Sequence, residues 1–293
     1  MRVTNMTDSM LAAIWQTQAS EQTALEQLSS GKRVNRPSDD PAAAAADVLN
    51  QNEQSLVDQY LQSTTSLNSQ FQTADSSLAT TITALTQAVS LGTEGASGAL
   101  SASDQQTIAA SVQGVLAQVL QMANTSYQGS YIFGGTATTS APFSNPANGV
   151  VYNGNGGVNE STIADGRTLQ TNVPGSQLFM QPGSDVIGSL QQLITALQGG
   201  DSTAISNATT SVSNALTYLS SQRLFYSNGM NQINDEQNSL NQENTNLKSE
   251  ENSLVGADMT QAALAVTQAQ MANQAVLAAT AKVLPVNLLD YLK

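Results

Sequence analysis

A seven-residue repeat of apolar side chains in the C-terminal half of the chain constrains its fold more than any other feature. A sustained heptad places its members on one face of a long helix, and that face must pack against another helix. The positions four residues after each member of this repeat change from apolar to polar toward the C-terminus. The apolar stripe of the helix therefore becomes narrower toward its C-terminal end. Gly229 interrupts the helix at a cost of about 1 kcal/mol and indicates a close contact or a bend. The repeat consists of Val212, Leu219, Tyr226, Ile233, Leu240, Leu247 and Leu254.

A second long helix is predicted from Pro41 to about Leu91. Asp40 is a good N-cap, and proline suits the first helical position. The large apolar residues Leu56, Leu67, Leu78 and Val89 follow one another every eleven residues. An eleven-residue period corresponds to 3.67 residues per turn, which predicts a helix that is nearly straight or slightly right-handed.

Shorter segments complete a mainly α chain with a small β insertion. Helices are predicted over residues 5–30, after a capping box formed by Ser103 and Gln106, from Ser184 to about 199, and over residues 255–284, where Pro285 ends the last one. Residues 128–183 lack helical periodicity and are rich in glycine, with short β-forming runs such as "SYIFGG". The element "YNGNGG" at 152–157 predicts a hairpin.

Composition excludes several classes of function. The chain carries 9 Lys and Arg against 22 Asp and Glu, a net charge of −13, which argues against binding to nucleic acid or to an anionic membrane. It has no cysteine and no histidine, so thiol chemistry, common zinc sites and histidine-based triads are absent. We find no catalytic constellation, and we expect no enzyme activity, cofactor or metal.

The two ends of the chain resemble each other in character. Each spans about thirty residues, is predicted to be helical, and is apolar on one face only. An isolated helix of this kind is marginal in water, so we expect both ends to be labile in the free monomer and to order against each other and neighbouring subunits. The first apolar run, "MLAAIW", is too short for a secretory signal, and no stretch approaches a membrane span.

Three of the nine cations lie within five positions, in the stretch "SSGKRVNRPSDD". Lys32, Arg33 and Arg36 precede Asp39 and Asp40 in a connection between two predicted helices, which Gly31 opens as a C′ residue. Two interpretations stay open. Either the segment is a solvated connector with a helix cap, or its cations meet acidic groups, locally or on a neighbouring subunit.

These residues also carry a resemblance. "LEQLSSGKRVNRPSDDPAAAAA" (25–46) resembles the N-terminal signature of bacterial flagellin-like proteins, and "ADMTQAALAVTQAQMANQAVLAATAKVLPVNLLDYLK" (257–293) resembles their C-terminal helix. "GSYIFGGTATTSAPF" (129–143), "VYNGNGG" and "GSQLF" resemble the branch of flagellar hook-filament junction proteins, the FlgL-type hook-associated proteins. Asn155 departs from that branch, whose pattern Y-x-G-D has aspartate there.

The resemblance implies a structural subunit of the flagellum, exported unfolded through the flagellar type III channel without a cleaved signal and located outside the cell. Its partners would be a hook-side junction protein, flagellin, neighbouring copies of itself and, before secretion, an export chaperone. The implied domains are a terminal coiled coil (1–31 and 255–293), a helical bundle rod (32–127 and 184–254) and an inserted β-rich domain (128–183).

The assembly surface is predicted at the two ends and at the connection between the first two helices. The candidate residues are Met6, Met10, Ile14, Trp15, Leu25, Leu28, Gly31, Arg33, Asn35, Asp39, Asp40, Val255, Met259, Val266, Val276, Val283, Leu288 and Leu289. Two alternatives remain at this point: flagellin itself, and a secreted enzyme or adhesin on a coiled-coil stalk, for which the insertion could bind carbohydrate.

Overall fold

The computed structural model describes residues 2–97, 100–146 and 149–290, and it describes side chains in these ranges except those of 2–7, 10 and 282–290. The described residues form seven helices and three two-stranded antiparallel hairpins, which confirms the mainly α class with a small β insertion. The helices are α1 (Arg2–Ser30), α2 (Pro41–Gly95), α3 (Ala102–Ala123), α4 (Gly175–Phe179), α5 (Val186–Gly199), α6 (Ser202–Val255) and α7 (Met259–Asp290). The strands are β1 (Ser126–Tyr127), β2 (Ser130–Tyr131), β3 (Phe143–Ser144), β4 (Val151–Tyr152), β5 (Glu160–Ala164) and β6 (Arg167–Gln170).

The chain divides into two compact units. Unit 1 comprises Met1–Asp58 and Gln242–Lys293, and unit 2 comprises Gln59–Asn241. Helices α2 and α6 therefore contribute to both units. The three domains predicted from the sequence divide the chain differently, and they stay a prediction about how it folds and assembles. Within the described residues, no helix is long and apolar enough to cross a membrane.

Unit 2 is a helical bundle that carries the β insertion. Its portions of α2 and α6 run antiparallel, since Thr65 bonds to Gln237 (3.4 Å) and Asp75 pairs with Arg223 further along (2.7 Å). Helix α3 packs on α5. The predicted heptad of α6 is the core stripe, because Val212, Leu219, Tyr226 and Ile233 are fully buried.

The burial of α2 has a seven-residue period instead of the predicted eleven. The buried positions include Val57, Thr64, Phe71, Leu78 and Leu85, whereas the predicted position Leu56 is 50% exposed. Thr64 fits inside because its hydroxyl donates to the carbonyl of Tyr60 (2.9 Å) within the same helix. The large apolar residues alone do not reveal this seven-residue period of α2, because the buried position 64 is a threonine.

Two predicted helix ends also differ from the structure. Helix α3 is capped by Ser101 instead of Ser103: the Ser101 hydroxyl accepts from the Asp104 N–H, and the Asp104 carboxylate accepts from the Ser101 N–H (both 3.2 Å). Helix α7 continues through Pro285 to Asp290. A proline inside a helix loses one backbone hydrogen bond, which lowers the stability of the helix without always ending it.

Candidate assembly surfaces

Unit 1 pairs the two terminal helices along a seam of small residues. Helices α1 and α7 run antiparallel, since the amide of Asn273 donates to Glu21 (3.0 Å) and the N–H of Ala257 donates to the carbonyl of Gly31 (2.9 Å). The buried residues in the described part of this seam are Ala24, Ala262, Val266 and Ala269. Such side chains bury little apolar area each, so the pairing gains little free energy per turn.

Several larger apolar side chains of these two helices are exposed, whereas Ile14, Leu28 and Val276 are half-buried. Trp15 is 70% exposed, which is unusual for the largest side chain in the chain. Exposed apolar side chains that recur along a helix indicate a surface that another molecule covers. We call this set the open apolar face; it consists of Leu11, Trp15, Leu25, Met259, Leu264, Met271 and Leu277.

The connection between α1 and α2 is tied to the connection between α6 and α7. Gly31 ends α1 in the left-handed region (φ 69°), as predicted for a C′ residue. The N–H of Arg33 then donates to the carbonyl of Val255 (2.6 Å), and Lys32 forms an antiparallel bridge with Gly256. Residues 31–40, which we call the cation loop, are therefore ordered by the returning end of the chain.

All three cations of the loop find acceptors within unit 1. The Lys32 ammonium lies 2.9 Å from the Glu251 carboxylate, and the Arg36 guanidinium lies 3.2 Å from that of Glu26. The Arg33 guanidinium donates to Asp40 (3.2 Å) and to the carbonyl of Leu254 (2.9 Å). The sequence left Asp39 and Asp40, or a neighbouring subunit, open as sources of acceptors. Glu251 instead comes from the far end of the chain, which spacing along the sequence cannot indicate.

The two aspartates of the loop have separate tasks. Asp39 accepts the backbone N–H groups of Asn35 (3.1 Å) and Arg36 (2.9 Å), which closes a tight turn. Asp40 caps α2 as predicted, because its carboxylate accepts the N–H of Ala43 (3.1 Å). That backbone bond, and then the Arg33 guanidinium, hold the pKa of the Asp40 carboxyl below its usual value.

The Lys32–Glu251 pair shifts both partners toward their charged forms. The hydrogen bond to Glu251 raises the pKa of the Lys32 ammonium. The same bond, followed by one from the Gln54 amide (3.2 Å), lowers the pKa of the Glu251 carboxyl. The pair joins the loop to α6 across more than two hundred residues of sequence.

The structure places the described assembly residues in four groups. Trp15, Leu25 and Met259 belong to the open apolar face, whereas Val255 and Val266 are buried inside the chain, and Ile14, Leu28 and Val276 are half-buried. Gly31, Arg33, Asn35, Asp39 and Asp40 lie together in the cation loop. The side chains of Met6, Met10, Val283, Leu288 and Leu289 lie outside the described residues. Whether any of these residues contacts a neighbouring subunit stays a prediction.

The β insertion is organised around an aromatic cluster built from the junction-type motifs. Phe179 makes edge contacts with Phe133 and Phe143, each with ring centroids 5.5 Å apart, and Phe143 packs on Tyr152 at 5.0 Å. The N–H of Gly175 donates to the carbonyl of Phe133 (2.8 Å), and a Cβ at position 175 would lie 2.7 Å from that oxygen. The motifs "YIFGG" and "GSQLF" are therefore parts of one packing unit, in which the second forms α4.

Asn155 performs in its turn the task that aspartate would perform. Its side-chain oxygen accepts the N–H groups of Thr136 (2.8 Å) and Gly157 (3.0 Å), which a carboxylate could also do. Its amide nitrogen additionally donates to the Thr136 hydroxyl (2.8 Å). The departure from the family pattern therefore preserves the turn.

Two features of the insertion escaped the sequence analysis. The longest hairpin, β5–β6, turns at Asp165 and Gly166 (φ 65°), a dipeptide that is itself a strong hairpin signal. The predicted "YNGNGG" hairpin is instead a loop after β4, since Tyr152 pairs with Phe143. Arg167 beside the turn forms an ion pair with Glu236 of α6, whose carboxylate is mostly buried.

Comparisons with known proteins assign the chain to a family. The model of the bacterial flagellin N-terminal helical region matches residues 3–138, and that of the C-terminal helical region matches residues 209–292. Flagellar hook-associated protein 3 of Salmonella typhimurium is 32% identical over 183 residues, which are 62% of this chain and 57% of that protein. The protein of the same name from Escherichia coli is 38% identical over 120 residues, 41% of this chain and 38% of that protein. The chain thus spans about half the length of these curated relatives or less.

Solved structures share the fold. A putative flagellar hook-associated protein from Vibrio parahaemolyticus superposes with a TM-score of 0.70 at 17% identity, covering 74% of this chain and all of that one. FlgL from Bacillus cereus gives 0.59 at 22% identity, covering 71% and 99%. The flagellar junction protein FlgL from Legionella pneumophila gives 0.61 at 14% identity, covering 72% and 100%. The two flagellin family models together match most of the chain, which therefore belongs to the bacterial flagellin-like superfamily, and its fold is the one that the solved FlgL-type structures share.

Proposed function

We propose that this chain is a structural subunit that joins the hook-side junction protein to the flagellin filament. The likeness to hook-associated protein 3 of two species supports the junction role over the filament role. The aromatic cluster of the insertion supports it as well, because its members come from the segments that resemble the junction branch. The role is structural and not enzymatic, and its place is the bacterial flagellum.

The open apolar face is the observation that carries this proposal. Seven large apolar side chains on two helices stay exposed, while the buried residues of the seam between those helices are three alanines and one valine. A subunit that works alone gains nothing from such a face, whereas a subunit in a tube buries it against its neighbours. Contacts of this kind are head-to-tail, so that each copy presents one face and receives another.

The proposed partners follow from this position. One edge of a ring of these subunits contacts the hook-side junction protein, the other contacts flagellin, and the sides contact further copies. The two terminal segments, 1–31 and 255–293, form the inner coiled coil, residues 32–127 and 184–254 form the surrounding rod, and the insertion 128–183 faces outward. Before secretion the chain travels unfolded with an export chaperone, and it then leaves the cell to join the flagellum.

The cation loop has a subsidiary part in this proposal. Its cations are already paired with carboxylates of unit 1, which favours acidic partners inside the chain over acidic groups on a neighbouring subunit. The loop fixes the direction of α1 relative to the start of α2 inside unit 1. It therefore holds the paired helices α1 and α7 in one orientation for contact with neighbouring subunits. Arg33→Ala is expected to leave the helix content of the monomer unchanged while weakening assembly.

Deletion of the gene followed by electron microscopy tests the proposal. We expect hooks without filaments and flagellin lost to the medium, with filaments restored by the wild-type gene. Filaments on the deleted strain would contradict the junction role. The alternative function, flagellin, predicts instead that the purified protein polymerises alone into long filaments.

A further inference from the structure

A small polar cavity lies where the β1–β2 hairpin meets α2 in unit 2. Its volume is about 210 Å³. Ser66 and Gln70 of α2 form one wall, and Tyr127, Ser130 and Tyr131 of the hairpin form another. None of its lining residues, all of which the structure describes, carries a charge.

Several polar groups of this cavity are free to bind a ligand. Within the described residues, the hydroxyls of Ser66, Ser130 and Tyr131 have no hydrogen-bond partner in the chain. The neighbours of Ser66 differ, because Thr65 and Ser69 donate to carbonyls four residues back in α2 (2.7 and 3.1 Å). The amide of Gln70 is also without a partner among the described residues.

The β1–β2 hairpin, which supplies the tyrosines of the cavity, has an unusual backbone conformation at its turn. Gln128, between the two tyrosines, is the one described non-glycine residue with a positive φ (50°). Its amide donates to the Tyr127 hydroxyl (3.2 Å) and so fixes that group at the rim. Left-handed backbone at a non-glycine residue costs free energy, and such residues are concentrated at binding sites.

The chemistry of the lining defines the class of ligand. Neutral hydroxyls and amides bind hydroxyl groups through directional hydrogen bonds, and a tyrosine ring offers an apolar surface beside its own hydroxyl. Pockets for drug-sized ligands measure roughly 300–1,000 Å³, so this smaller cavity suits a single ring. We propose that it binds one neutral sugar unit, free or at the end of a glycan. This site does not depend on the junction role.

The test is saturation-transfer NMR and calorimetric titration of the full-length protein with neutral monosaccharides, including glucose, galactose and N-acetylglucosamine, and with glucuronate as a charged control. We expect at least one neutral sugar to bind and glucuronate to bind more weakly. Gln70→Ala and Tyr131→Ala should each weaken binding about tenfold, the loss of one well-placed hydrogen bond or ring contact.

Gln191→Ala is the matched control, since Gln191 is a half-buried helix glutamine that lines a different cavity, and binding should be unchanged. The methyl glycoside of the bound sugar separates the two sources of ligand: retained binding indicates the end of a glycan, and lost binding indicates the free sugar. The proposal is overturned if no neutral sugar binds, or if binding survives both cavity substitutions.

Discussion

Gly229 lies inside α6, and the ring of Phe71 occupies the space that a side chain at position 229 would need. A Cβ at this position would lie 2.1 Å from Cε2 of Phe71, deep in the core of unit 2. Phe71 cannot retreat easily, because it also packs edge-on against Tyr226 at 5.4 Å. Of the two possibilities that the sequence left open, a close contact and a bend, the structure shows the close contact.

Gly229→Ala is therefore expected to lower the free energy of unfolding by about 1–3 kcal/mol through overpacking, although alanine favours a helix by about 1 kcal/mol over glycine. Urea unfolding of the full chain, followed by circular dichroism, measures the change. Gly114→Ala in α3 is the control, because a Cβ there meets nothing within 4 Å, and it should be neutral or stabilising. Equal effects of the two substitutions would refute the packing argument.

The Lys32–Glu251 pair makes the closure of unit 1 sensitive to pH at both extremes. Because the pKa of Glu251 is lowered on folding, its contribution is present above the usual carboxyl pKa and disappears as the pH falls through the lowered value. Because the pKa of Lys32 is raised, its contribution is present below the usual ammonium pKa and disappears as the pH rises through the raised value.

Glu251→Gln tests this pair at neutral and acid pH. Both partners are partly exposed, so we expect a loss below about 1 kcal/mol at pH 7 and a smaller difference from wild type at pH 3. Hydrogen exchange at the backbone amides of Arg33 and Ala257 measures this loss directly, because these amides bond between the α1–α2 connection and the α6–α7 connection. The substitution Glu250→Gln on the exposed neighbour controls for the charge change. A difference that does not shrink at pH 3 would contradict the assignment.

At the scale of helices, the two faces of the terminal pair have different tasks. The seam holds α1 and α7 together, and the open apolar face is reserved for other molecules. Trp15 is the largest member of that face. Removing the Trp15 side chain should therefore reduce assembly while leaving the stability of the free monomer nearly unchanged.

Trp15→Ala is expected to change the stability of the free monomer by less than about 0.5 kcal/mol, as for an exposed position without intramolecular packing. The same substitution should reduce or abolish filament growth on hooks, scored by electron microscopy in a complemented deletion strain. Ser20→Ala, an exposed residue of α1 without an apolar side chain, should leave assembly intact. Normal filaments with Trp15→Ala would show that this face is not an interface.

The seven-residue repeat of α6 was predictable because large apolar side chains mark it without interruption. The equivalent repeat in α2 was not, because Thr64 and Thr81 occupy fully buried positions where the sequence suggests polar surface. The same limit applies to the candidate site. Periodicity revealed the terminal helices and the cluster of cations revealed the loop, but the pairing of Lys32 with Glu251 depends on contacts between distant parts of the chain.

For the whole molecule, we expect an uneven distribution of stability. Unit 2 has a continuous core from Leu67 to Ile233, including the aromatic contacts of Phe71 and Tyr226. The terminal pair in unit 1 has a seam of alanine and valine and a large exposed apolar face. Local opening requires least free energy where few apolar contacts are buried, so the ends should open first.

Hydrogen–deuterium exchange of the dilute monomer, followed by mass spectrometry, tests this claim most directly. We expect the amides of α1 and α7 to exchange quickly while those of α2 and α6 within unit 2 stay protected, and we expect the ends to become protected once the subunit is assembled on hooks. Strong protection of α1 and α7 in the solitary monomer, equal to that of the unit 2 core, would contradict the account.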